Sequence, residues 1–142
     1  MKPVEVEVVR RKLATIVEDL RALEPVRMMS KENYIEEFYK RKATERLLQE
    51  LIEAAIDINV HLILEAGHAA PDDYYESFVK IGELGIISSD LAERVAPSAG
   101  LRNRLVHEYD MLDHEIVLKS VATAEELFSI YVKEINEYLS KA

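Results

Sequence analysis

The hydrophobic positions of this chain fall into helical stripes. Val6, Val9, Leu13, Ile16, Leu20 and Leu23 follow one another at alternating steps of three and four, which lines one side of a helix. Pro25 is expected to end that helix, because its ring collides with the preceding turn. The next stretch without a breaker runs from Val26 to Ala66. As one helix it would span about 60 Å at 1.5 Å per residue, too long for a compact domain of this size. A break is therefore expected near Ser30–Asn33, where either residue can cap a new helix and Glu36 follows Asn33 by three positions. From Leu47 to Leu64 the stretch is apolar almost all round, the mark of a central helix with several neighbours. Two shorter helices are expected over roughly Asp73–Ile81 and Ile86–Val95, then a joint at Pro97-Ser98-Ala99-Gly100 and a short helix over Leu101–Glu108. Asp110 or Asp113 caps the last helix, whose seam is Val117, Val121, Ala124, Phe128, Tyr131, Ile135 and Tyr138. Strict alternation is confined to Val4-Glu5-Val6-Glu7-Val8, too little for a sheet. The pattern predicts an all-α fold, an antiparallel bundle of about five to six helices with three of them long, in one domain over residues 1–142. Aligned seams of this kind are core far more often than interface, though they also suit a partner chain.

Composition narrows the class. The chain has 142 residues, 49% of them hydrophobic and 32% charged, as expected of a soluble globular domain. No run approaches the ~18 apolar residues of a membrane span. The opening Met1-Lys2-Pro3-Val4-Glu5 lacks the apolar segment of a secretory signal. With no cysteine there is no disulfide framework, thiolate metal site or cysteine nucleophile, and a reducing cytoplasm is the expected compartment. The formal charge is −9, so phosphate backbones are repelled at long range. Any nucleic-acid role must then run through a local basic site. Lys40-Arg41-Lys42 with Arg46, and Arg10-Arg11-Lys12, are short basic runs flanked by acids. A solvated helix face is their default reading; an RNA-backbone or partner-docking contact is the lesser one.

Candidate chemistry is sparse until late in the chain. There is no Gly-rich phosphate loop and no Gly-x-Ser-x-Gly elbow. A di-metal bundle needs two Glu-x-x-His pairs, and only Glu65-Ala66-Gly67-His68 matches, so neither metal nor cofactor is expected. Glu53, Asp57 and His61 form one row on the central helix. That row is either satisfied by Arg or Tyr from neighbouring helices, or solvated, or the lining of a cleft, or half of a metal site. The densest cluster is Leu101-Arg102-Asn103-Arg104-Leu105-Val106-His107-Glu108-Tyr109. On a helix Asn103 and His107 share a face, as do Arg102 and Tyr109 if the helix lasts that far. Arg102 and His107 lie about 140° apart around the axis at 3.6 residues per turn. One helix does not aim both at a single atom: either Arg102 bends round, or a two-fold copy completes the site. The cluster reads as capping and interface polar groups or as an active site. The chemistry it suits is RNA self-cleavage by the 2′-hydroxyl. A His near neutrality takes the proton, and an Arg fork stabilises the phosphoryl oxygens.

At these residues the sequence resembles the HepT-like proteins of the HEPN superfamily of helical ribonucleases, whose Arg-x4-His-x-Tyr signature matches Arg102, His107 and Tyr109. The segments Glu45–Glu53, Ile56–His61, Pro71–Phe78 and Gly85–Ile87 resemble the family too, so the likeness covers essentially the whole chain. The resemblance implies a helical homodimer with a composite cleft where both motifs meet. It implies a metal-independent RNA-cleaving toxin, with tRNA among the candidate substrates, paired with an MNT-type nucleotidyltransferase antitoxin that transfers AMP to Tyr109. Carried over by position, His107 is base or acid and Arg102 holds the phosphate. Asn103 fills the polar position after the arginine, and Arg104, Glu53 and Asp57 are expected to support the cleft. Two other readings remain: a non-catalytic dimeric partner of a nucleotidyltransferase that binds nucleotide or protein, and a purely structural dimer.

Overall fold

The computed structural model describes residues 2–141, the side chains of Pro3 and Val4 excepted. Met1, Ala142 and the Val4 side chain, which the sequence reading assigned to the domain and to the short alternating run, lie outside it. The described backbone forms seven α-helices: α1 (Pro3–Arg27), α2 (Lys31–Glu36), α3 (Phe38–Glu65), α4 (Tyr74–Glu83), α5 (Ser89–Val95), α6 (Ser98–His107) and α7 (His114–Lys141). A 3-10 turn at Tyr109–Met111 precedes α7, and no strand occurs among the described residues. The three long helices are α1, α3 and α7, of 25, 28 and 28 residues.

The seventh helix arises from a break the hydrophobic pattern did not show. Ser30 caps α2 as expected, its hydroxyl accepting from the Asn33 N–H at 3.2 Å. The chain then leaves helical geometry at Glu37 (φ −93°, ψ 82°) before α3 begins. Tyr34 is fully buried with its ring edge-on to His114 of α7. Arg41 Nε donates to the Ile35 carbonyl, freed by the break, at 2.9 Å. Seating Tyr34 in the core thus fixes a corner that no local breaker encodes.

Other boundaries move for identifiable reasons. Pro25 does not end α1, which runs on to Arg27. A proline in the last turn forfeits one backbone bond, and Val26, buried beyond it, holds the end of the helix. Gly85 (φ 72°) turns the chain after α4, which only glycine does without strain. Ile86 and Ile87 are buried in the loop that follows, so α5 starts later than expected, capped by Ser88. Pro97 sits at the N-cap of α6, which takes Gly100 inside the helix. Asp113, not Asp110, caps α7, accepting from the N–H groups of Glu115 and Ile116 at 3.0 and 3.3 Å.

Helix α3 is the hub, packing against α1, α4, α6 and α7. Its Leu48, Leu51, Ile52, Ala55, Ile58, Leu62 and Ile63 are buried, whereas Leu64 is half exposed. They meet Val9, Leu13, Ile16 and Leu23 of α1 and the α7 seam from Val117 to Ile135. Inside this apolar core runs one polar chain. The Tyr131 hydroxyl reaches Asn59 Oδ1 at 2.5 Å and the Ala55 carbonyl at 3.1 Å. Asn59 Nδ2 donates to Ser77 Oγ at 3.1 Å, and that hydroxyl donates to the Tyr74 carbonyl at 2.7 Å. Burial pushes the Tyr131 hydroxyl well above its ordinary pKa, so it stays a donor. The chain of bonds ties α7 through α3 to the first turn of α4, and so fixes where Tyr74 stands. No helix among the described residues is long and apolar enough to cross a membrane.

Candidate active site

Helix α6 sinks Ala99, Leu101 and Leu105 into the core, which sets the direction of the residues between them. Arg102 turns inward. Its Nε donates to Glu53 Oε2 of α3 at 2.9 Å, its Nη2 pairs with the same oxygen at 2.9 Å, and its Nη1 donates to Asn103 Oδ1 at 3.2 Å. The guanidinium carbon sits 4.9 Å from the centre of the Tyr74 ring, within cation–π range. Gln49, one turn before Glu53, donates to the same carboxylate oxygen at 3.3 Å. Arg102 is thus gripped along one edge and covered on one face. Among the described residues three of its five N–H donors are engaged, and two remain for an anion.

The cleft beside it has a volume of about 250 Å³ and is lined by Glu53, Ile56, Asp57, Tyr74 and Arg102. Asp57 accepts from Lys12 Nζ of α1 at 2.8 Å. The charges of Glu53 and Asp57 are therefore matched by Arg102 and Lys12, and the cleft of a single chain carries no surplus of positive charge. Deeper in the α1–α3 seam, burial and next the neighbouring Glu50 carboxyl push the buried Asp19 carboxyl up to about 7. A larger hollow of about 540 Å³, between the Ile86–Ser89 loop and α7, holds none of the motif residues.

The row Glu53, Asp57 and His61 separates by partner. Glu53 goes to Arg102 and Asp57 to Lys12, while His61 does not line the cleft. Asn103 touches Arg102 but is itself exposed, and Arg104 is exposed outside the cleft. His107 is exposed and ends α6. The helix stops there, so Arg102 and Tyr109 share no helical face; Tyr109 stands in the 3-10 turn, 61% exposed. Within one chain His107 does not line the cleft that holds Arg102.

Tyr74, Lys12 and Gln49 complete the arrangement; the sequence reading assigned none of them a place in the site, and Lys12 stood out only as part of the basic run Arg10-Arg11-Lys12. Gln49 and Glu53 stand one helical turn apart, a spacing visible in the sequence. The Asp73 cap, accepting from the Glu76 N–H at 2.8 Å, fixes Tyr74 at the start of α4. Nothing local announces Lys12.

On α6 an arginine turned inward against the α3 hub is thus followed five residues later by an exposed histidine. The ribonuclease HepT-like family matches residues 13–135, and the chain belongs to that family. It is similar to the tRNA nuclease HepT of Aphanizomenon flos-aquae, 37% identical over 139 residues that cover 98% of this chain and 95% of that one. The mRNA nuclease HepT of Shewanella oneidensis is 30% identical over 89 residues, covering 63% of this chain and 67% of that protein. Among solved structures, a tri-AMPylated HEPN toxin of Shewanella oneidensis in complex with an MNT antitoxin superposes with a TM-score of 0.82. It is 25% identical, covering 96% of this chain and 99% of that one.

Proposed function

We propose that this chain cleaves RNA without a metal, as the toxin of a toxin–antitoxin pair, and that it acts as a homodimer of antiparallel bundles. The observation that carries this is the gripped Arg102: Glu53 and Tyr74 hold its fork while two N–H donors stay free. A phosphate fits those donors, and guanidinium–phosphate pairing is geometrically specific. His107 stands at the end of the same helix, about 140° away around the axis. A second copy brings its imidazole to this chain's arginine and adds the cationic groups that one cleft lacks.

The reaction is a transesterification. The neutral His107 imidazole takes the proton of the 2′-hydroxyl, and O2′ attacks the adjacent phosphorus. The bond from phosphorus to O5′ breaks, and O5′ leaves with a proton from the protonated imidazole of the dimer's other motif. Arg102 binds the non-bridging oxygens, whose charge grows in the transition state. Asn103 orients Arg102 through Nη1. The exposed Arg104 meets a flanking phosphate, and Asp57 positions Lys12 at the cleft edge. The products are a 2′,3′-cyclic phosphate and a 5′-hydroxyl.

Inhibition follows from Tyr109. A nucleotidyltransferase partner of the MNT type moves AMP from ATP to its exposed hydroxyl, releasing pyrophosphate. The AMP adds bulk and negative charge beside the scissile phosphate and repels RNA. The AMPylated toxin–antitoxin relative supports this reading, and the near full-length tRNA nuclease relative makes tRNA the first substrate to try. Both RNA and ATP are cytoplasmic.

The test is incubation with tRNA and with mRNA in chelator, followed by end analysis. Cyclic phosphate ends are expected, and His107→Ala should abolish them while leaving the helical circular dichroism unchanged. Cleavage undiminished in His107→Ala would remove the histidine from the mechanism. A wild-type chain that cuts neither RNA yet binds the nucleotidyltransferase would make it a binding partner instead.

A further inference from the structure

We infer that the corner between α2 and α3 is a docking surface for single-stranded RNA flanking the scissile phosphate; the inference rests on the RNA-cleaving reading above. Two adjacent aromatics stand in solvent at this corner, Phe38 at 54% and Tyr39 at 86% exposure. Their rings pack edge to face with centroids 5.7 Å apart. Lys40, Arg41 and Lys42 follow directly. The Arg41 guanidinium and the Lys42 ammonium lie 5.5 and 5.7 Å from the Phe38 ring centre. Arg41 is held in place by the Ile35 carbonyl at 2.9 Å and by His114 Nε2 at 3.3 Å. Among the described residues Lys40 pairs with no carboxylate, whereas Lys42 and Arg46 lean on Glu45 and Glu50.

Position links this corner to the motif. Arg102 abuts Glu53 and His114 abuts Arg41. Between residues 41 and 53 helix α3 rises about 18 Å at 1.5 Å per residue. The chain from Arg102 to His114 joins the two ends of that span, and His107 and Tyr109 lie on this connection. An RNA strand engaged at His107 and Arg102 is thereby led toward exposed aromatic faces bordered by cations. That combination binds single strands: bases stack on the rings and phosphates meet the cations, with little sequence preference. The surface suits RNA better than a protein partner. Interface cores are depleted of lysine, and a run of three consecutive cations is conspicuous in a chain of net charge −9. It also supplies the local attraction that so acidic a chain needs to hold a polyanion.

The experiment uses the exposed pair Tyr39→Ala and Lys40→Ala, together and singly, in two backgrounds. In the His107→Ala chain, fluorescence anisotropy with a labelled single-stranded RNA dodecamer reads binding alone. The double substitution should weaken it about tenfold or more, as loss of one stacked base and one phosphate contact implies, and Lys40→Ala should lower the salt slope by about one. In the active chain KM for the dodecamer should rise by a similar factor with kcat unchanged, while a dinucleotide substrate confined to the scissile site is cut as before. Unchanged dodecamer affinity and KM would overturn the inference. So would a change in oligomer mass, or loss of nucleotidyltransferase binding with RNA affinity intact, since the corner would then be a protein interface. The two readings fail separately. A chain that cuts RNA with KM indifferent to these substitutions sinks the docking surface alone. A chain that binds RNA through the corner and never cuts it sinks the ribonuclease reading alone.

Discussion

Replacing Glu53 by glutamine keeps the shape of the side chain and removes the charge that grips Arg102. The bond count sets the magnitude. Two N–H donors converge on one carboxylate oxygen at 2.9 Å, with a third donor from Gln49 at 3.3 Å. Hydrogen bonds to charged groups contribute about 1.5–3 kcal/mol each. The pair is only partly shielded, Arg102 being 16% and Glu53 33% exposed, so solvent takes a large share of that sum. We expect Glu53→Gln to cost about 2 kcal/mol, a fall in melting temperature of about 4–8 °C for a chain of this size. A double-mutant cycle separates this coupling from general damage. Glu53→Gln, Arg102→Ala and both together are unfolded in denaturant at one fixed protein concentration, and the pair should be less destabilised than the sum by about 1.5 kcal/mol. Cleavage should follow the same coupling. A fork free to swing misplaces its two remaining donors, so kcat should fall about 10- to 100-fold in Glu53→Gln. Stabilities additive to within about 0.5 kcal/mol, together with unchanged kcat, would refute the claim that Glu53 positions Arg102.

Tyr109→Phe should retain cleavage within about twofold and escape AMP transfer, read by mass spectrometry after incubation with the nucleotidyltransferase and ATP; full inhibition of this variant would place the modification elsewhere. Asp19 gives a pH prediction with a definite sign. Its folded carboxyl is raised from 3.8 to about 7, first by burial and then by Glu50, so the folded state holds a proton that the unfolded chain has released. Stability should therefore fall as pH rises from about 4 to 7. Asp19→Asn should stabilise by about 2 kcal/mol at pH 8, roughly half of what about 1.4 kcal/mol per pH unit sets as a ceiling, and by nothing at pH 4, measured by denaturant unfolding at both pH values.

Period and punctuation made the three long helices legible in the sequence, because a buried stripe at steps of three and four survives whatever it packs against. Ser30 and Asp113 were readable as caps for the same reason: their oxygens satisfy N–H groups a few residues away. Arg102, His107 and Tyr109 were visible as a motif through residue type and spacing, and spacing alone already showed that one helix could not aim Arg102 and His107 together. What the sequence could not carry was every contact between distant segments. The corner at Glu37 exists because Tyr34 is buried against α7, a constraint supplied by residues some eighty positions later. The row of Glu53, Asp57 and His61 was a face without partners until α6 brought Arg102 to the first and α1 brought Lys12 to the second. Tyr74 covers Arg102 because a buried chain of hydrogen bonds from Tyr131 fixes the start of α4. Local pattern decides which residues are helical and which face is apolar. Only packing decides which charges meet, because an ion pair forms between side chains that the fold, not the sequence interval, brings within 3 Å.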